Sequence, residues 1–162
     1  MYQLAQVNIG RLLAPLDDPQ IAGFVAKLDE INALADKSPG FVWRLQSNEG
    51  NATSLRPYED ERILVNMSVW ASLEAYTDYV YKTAHREVMK MRRHWFERFD
   101  GPYTAVWWVP QGHIPTVAEA KDRLEYLRAH GESPFAFTPK NPFPPEENSL
   151  HTIDPILDEC PV

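Results

Sequence analysis

Residues 2–9, "YQLAQVNI", alternate between two sets. Ala5, Val7 and Ile9 fall on one side, and Leu4, Gln6 and Asn8 fall on the other. That period of two predicts a strand with one apolar face and one mixed face. The spacing then turns helical over "DDPQIAGFVAKLDEINALADKSPG". Asp18 suits the N-cap and Pro19 the first turn. Ile21, Phe24, Val25, Leu28, Ile31 and Leu34 form one stripe, and Pro39-Gly40 stops it. "FVWRLQS", from Phe41, predicts a second strand before the turn-like "NEGN". "RILVNMSVW" predicts a third. Ile63, Val65, Met67 and Val69 share one face, while Leu64, Asn66, Ser68 and Trp70 share the other. One long helix is expected from about Ser72 to Phe99, stopped by Gly101-Pro102. "YTAVWWV" predicts a fourth strand. Thr116 and Glu119 form a capping box that opens a third helix ending near Gly131.

The order β-α-β-β-α-β, then an extra helix and a tail, predicts an α+β fold of the ferredoxin-like split βαβ kind. Residues 1–131 are read as one domain with the third helix included, and residues 132–162 as a Pro-rich, acidic C-terminal arm. Seven of the fourteen prolines lie in that arm, which rules out long regular elements there. Phe135, Phe137 and Phe143 favour a segment laid over a surface, because disordered tails are poor in aromatics.

Composition narrows the function. A 162-residue chain with 44% hydrophobic residues can bury a sizeable core. Its net charge of −7 argues against general nucleic-acid binding, which needs a cationic surface. No apolar run is long enough to span a bilayer, so no membrane role is expected. The opening "MYQLAQVNIG" has neither a basic start nor a long apolar run, so no secretory signal is read and a cytoplasmic location is expected. A single cysteine, Cys160, excludes an intramolecular disulfide and a multi-cysteine metal site. The chain shows no "GxSxG" nucleophile elbow and no Gly-rich phosphate loop. His113, in "PQGHIPT", is read as a loop residue before the third helix.

The segment "AHREVMKMRRHWFERF", Ala84 to Phe99, is the richest in chemistry. On a continuous helix His85 and His94 point to opposite sides, so they hold no common metal, and no metal site is predicted. His94 groups with Arg86, Lys90, Arg93 and Glu97 on a solvated face. His85 groups with Tyr81, Met89, Arg92 and Phe96 inside an apolar arc. Two cationic side chains in such an arc need an anion. Either a carboxylate from elsewhere pairs with them, or an anionic ligand does.

The sheet raises a parallel question. The first two helices are expected to cover Ala5, Val7, Ile9, Ile63, Val65, Met67 and Val69. The opposite face then shows Gln6, Asn8, Asn66, Ser68 and Trp70, joined by such residues as Arg44, Gln46 and Trp107 or Trp108. Apolar walls with a few amides suit either a polar-laced interface or a small-molecule cavity. A second copy packed on this face, by a two-fold homodimer, is expected to enclose it.

The third strand ending in Trp70, followed by "WASLEAYTDYVYKTAH", resembles the dimeric α/β-barrel superfamily. That group includes antibiotic-biosynthesis monooxygenases and haem-degrading monooxygenases. Over the longer chain, "H-R-x-x-M-x-x-R-x-x-W-F" is similar to an uncharacterised bacterial family. The resemblance implies ferredoxin-like subunits that pair through their sheets around a cavity. In the haem-degrading members a strand Asn, a helix Trp and a His act together. Asn8 and His85 match by position, but the Trp position falls nearest Tyr79, which the helix projection turns away from His85. The first reading is a homodimeric α/β-barrel protein that binds a small aromatic or anionic molecule. Among the activities the resemblance implies, a cofactor-independent monooxygenase, without a cofactor, is the one left open. His85, Arg92 and Asn8 would be catalytic. Gln6, Asn66, Ser68, Trp70, Tyr81, Met89 and Phe96 would bind ligand. A non-catalytic binding or assembly protein with the same dimer is the second reading, and a haem protein with His85 as ligand is the third.

Overall fold

In the computed structural model, which describes residues 1–46 and 58–145, four antiparallel strands form one sheet. They are β1 (Tyr2–Arg11), β2 (Phe41–Arg44), β3 (Ile63–Trp70) and β4 (Thr104–Pro110), in the order β2-β3-β1-β4. That order is the one a split βαβ arrangement produces. The register sets Gln6 opposite Ser68 and Asn8 opposite Asn66, so the amide-bearing residues share a face. The expected second strand ends early, at Arg44, and its last residue, Ser47, lies outside the described residues.

Helix α1 (Ala22–Lys37) follows a 3-10 turn at Pro19–Ile21. As its sequence predicts, the Asp18 side chain accepts a hydrogen bond from the Gln20 N–H, at 2.8 Å, and Pro19 opens the turn. Gly40 ends the connection with a φ of 81°, and a Cβ there would sit 2.5 Å from the Ala75 Cβ. Only glycine allows both the conformation and the approach. Helix α4 (Val117–His130) opens on the Thr116 hydroxyl, which accepts from the Glu119 N–H.

Two expectations fail, for connected reasons. The single helix from Ser72 to Phe99 is instead α2 (Leu73–Lys82), α3 (His85–Lys90) and a 3-10 turn at Arg92–His94. Thr83 makes the break. Its hydroxyl donates to the Tyr79 carbonyl and accepts from the His85 N–H, ending one helix and capping the next. After the 3-10 turn the chain runs extended, and Phe96 bridges to Leu12 beyond the end of β1.

The second failure concerns the faces. Helices α1 and α2 cover the face carrying Leu4, Trp70 and Val106, not the one carrying Ala5, Val7 and Ile9. The latter face packs on Ala120, Leu124 and Leu127 of α4. The sheet is therefore covered on both sides by its own chain, and Trp70 is fully buried without a second copy. Both faces are apolar enough to take helices, so alternation alone does not choose between them.

The chain after α4 runs along β4. Val106 and Phe137 exchange two backbone hydrogen bonds, at 2.8 and 3.0 Å, and Phe137 is completely buried. Arg123, itself buried, donates to the Phe135 carbonyl at 2.8 Å and lies over the Phe135 ring. Trp108 Nε1 donates to the Phe143 carbonyl.

Candidate functional site

Helix α1 touches the rest of the molecule at its two ends. Ile21 and Phe24 pack with Leu12, Leu64, Trp95 and Phe96, while Ile31, Leu34 and Ala35 pack near Trp70 and Tyr79. Its middle spans a gap above the sheet. Val25, assigned by periodicity to the packing stripe, is exposed. The gap is a cavity of about 380 Å³, floored by Asn8, Gly10 and Asn66 and walled by α1, α2 and α3. Thr138, Pro139 and Lys140 of the C-terminal segment add to its lining.

The lining holds His85, Arg92, Lys27, Arg44 and Lys140 and, among the described residues, no aspartate or glutamate. In a chain with a net charge of −7 that is a local reversal of sign. Lys27 and Arg44 lean on Glu30 and Asp36. Arg92 has no ion pair among the described residues. Its Nη2 donates to the Ile9 carbonyl at 2.8 Å, and its guanidinium lies 4.9 Å from the Phe96 ring centroid and 4.3 Å from that of Tyr103. Burial pushes its pKa down, although a guanidinium remains charged in any case. Gly10 permits this packing, since a Cβ there would meet the Phe96 ring at 2.5 Å.

His85 stands on the first turn of α3. Its ring lies 4.9 Å from Tyr79, which in turn stacks on Trp70 at 4.9 Å. Tyr79 therefore faces His85, contrary to the single-helix projection, because the break at Thr83 resets the rotation. The Nδ1 atom is buried with no hydrogen bond of ordinary geometry. Burial lowers the His85 pKa, partly opposed by the Val80 backbone carbonyl, which favours the neutral imidazole.

Behind Asn8, Asn66 and His85 lies a smaller hollow of about 30 Å³. Gln6 Nε2 donates there to Ser68 Oγ at 2.8 Å and to Asn66 Oδ1 at 3.2 Å, and Trp70 Nε1 donates to Ser68 Oγ at 2.8 Å.

The structure thus brings Asn8, Asn66, Tyr81, His85, Met89, Arg92 and Phe96 to the main cavity. It sets Gln6, Ser68 and Trp70 one layer behind, against the hollow. Arg44 also reaches the cavity, whereas Trp107 packs on the α4 side. The α1 residues Phe24, Leu28, Ile31 and Asn32 were missed as lining, as were Tyr103 and Lys140. The α1 stripe was visible, but it was given to the sheet. His94 is exposed, and His113 meets Glu119 at 2.9 Å, outside the cavity. Cys160 lies outside the described residues. Among the described residues no group of three His, Cys, Asp or Glu side chains is placed to hold a metal ion. No helix among them is long and apolar enough to cross a membrane.

Strand order and site together define a ferredoxin-like α+β protein with a cationic, largely apolar cavity inside one chain. Residues 3–153 match the model of a domain of unknown function, DUF3291, and the chain belongs to that family. No curated protein matches it. Among solved structures it is similar to SnoaB, a cofactor-independent oxygenase from Streptomyces nogalater. The identity is 15% and the TM-score 0.47, over 72% of this chain and 98% of that one. A mutant of the same oxygenase gives 14% and 0.46, over 69% and 95%. NE2512, a protein of unknown function from Nitrosomonas europaea, gives 12% and 0.45, over 72% and 95%.

Proposed function

We propose that the cavity binds a small organic anion with an apolar, aromatic body. One observation carries this reading: Arg92 lies among aromatic rings in a lining that, among the described residues, has no carboxylate. A desolvated cation without an ion pair is costly, and an anionic ligand removes that cost. The Asn8 and Asn66 amides supply directional contacts from the floor. The cavity is lined by elements of one chain, so this reading does not require a second copy.

The test is titration calorimetry with aromatic carboxylates of one and two rings. Wild-type protein should bind members of that set, and Arg92→Gln should weaken binding at least about tenfold, the scale of a lost charge-assisted hydrogen bond. Equal affinity in the variant, or no binding by any member, overturns the reading.

A specific observation favours chemistry as well. A neutral His85 beside the cavity is ready to take a proton from a phenol, and Arg92 would stabilise the resulting anion. Such an electron-rich anion reduces dioxygen without a cofactor. One oxygen atom becomes a ring carbonyl, the other leaves as water, and the phenol becomes a quinone that has supplied all four electrons. Ligand-dependent oxygen uptake separates this reaction from binding alone. A haem does not suit these residues, because the Tyr79 ring packs between Trp70 and His85 where the haem-degrading proteins are expected to place an indole.

A further inference from the structure

We propose that the hollow behind Asn8, Asn66 and His85 seats a single hydroxyl group of the ligand, which makes the ligand a hydroxylated aromatic acid. This rests on the anion-binding reading above and narrows it to a substrate class.

Three observations meet at the hollow. Its volume of about 30 Å³ is small but sufficient for a hydroxyl, since about 10–15 Å³ of such space already holds a water. Gln6 is only 3% exposed, and its Oε1 is buried with no donor among the described residues. Its Nε2 is already committed to Ser68 and Asn66. Finally, Ser68 Oγ accepts from both Gln6 and Trp70, which fills its two lone pairs and leaves its proton to give away. The hollow therefore offers one unfilled acceptor and one unassigned donor. A hydroxyl is the small group that answers both, donating to Gln6 Oε1 and accepting from Ser68.

Other groups fit worse. A methyl group or a halogen leaves Gln6 Oε1 without a donor. A carboxylate brings only acceptors. An ammonium group would sit beside Arg44, which also lines the hollow, with no carboxylate among the described lining residues. The hollow and the main cavity share lining residues, among them Asn8, Asn32, Asn66 and His85, so they adjoin and one ligand can be expected to reach both. A site built around a hydroxyl rejects the analogue that lacks it, because its buried polar atoms then stay unpaired.

The experiment compares 2-naphthoate with its hydroxy isomers on the full wild-type chain, by calorimetry. At least one isomer should bind about tenfold or more tighter than the parent. Gln6→Met, which keeps length and removes the acceptor, should bring that isomer to parity with the parent. If the parent binds and no isomer improves on it, or if the preference survives Gln6→Met, the hydroxyl site is overturned. If neither parent nor isomer binds, the anion reading falls with it. A crystal structure of wild-type protein with the preferred isomer gives an answer that does not depend on the variant folding. The hydroxyl oxygen within hydrogen-bond distance of Gln6 Oε1 supports the proposal. A water there, with the hydroxyl elsewhere, refutes it.

Discussion

An imidazole walled in by Tyr79 and helix backbone resists protonation, and stability should register that resistance. Burial holds the His85 pKa below its ordinary value in the folded chain, while the unfolded chain titrates near the reference of about 6.5. Above that reference both states are neutral at this site. As pH falls through it, the unfolded state takes up the proton more readily, and folded stability is lost. Urea unfolding of wild type and His85→Gln, from pH 7.5 down to 5, should show wild type losing more than the variant. Parallel curves would mean that His85 is freely protonated in the native chain. Arg92 shows the other way to hold a cation at such a site. It spends one donor on the Ile9 carbonyl and two ring faces on its flanks, and has donors left for a ligand.

Among the elements, α1 behaves as a beam fixed at both ends. Ile21 is fully buried at one end, whereas Leu28 faces the cavity from the middle. Ile21→Ala should therefore cost roughly 2–5 kcal/mol, as buried large-to-small changes do. Leu28→Ala should cost about 1 kcal/mol, because a half-buried side chain loses little burial. Thermal or chemical denaturation checks the contrast, and equal losses would place Leu28 in the core instead. The strands, the caps at Asp18 and Thr116, and the strand pairing that unites Gln6, Asn8, Asn66 and Ser68 were legible in the sequence. Period, capping chemistry and chain order are local signals. The break at Thr83 was not, because a threonine inside a strongly helical pattern ends a helix only when its hydroxyl finds backbone partners. Nor was it legible which face α4 takes, since that depends on how two apolar surfaces compete. Tyr81, His85 and Met89, which share one stripe in the sequence, line the same cavity although the helix breaks between them. They lie close enough together for a local helical period to bring them to one wall, and the turn at Arg92 carries the chain back over the floor.

For the molecule as a whole, residues 135–143 pack on the sheet and its helices. Phe137 locks against β4, and the next three residues reach the cavity. The Glu132 carboxylate accepts from the Thr138 N–H at 2.7 Å and from the Thr138 hydroxyl at 2.8 Å, which shapes that reach. Phe137→Ala should cost roughly 3–5 kcal/mol and also weaken ligand binding, because it frees a wall of the site. Denaturation and calorimetry on the same variant test both halves. A stability loss with unchanged affinity would detach the segment from the site.

The same lock has a bearing on what the chain avoids. An outermost strand presents unpaired backbone groups on which foreign strands can grow. Here one lateral margin, β4, has its Val106 groups taken by Phe137, and the other, β2, is four residues long with an irregular register. Among the described residues neither margin offers a long flat template, a built-in guard against runaway strand-to-strand accretion.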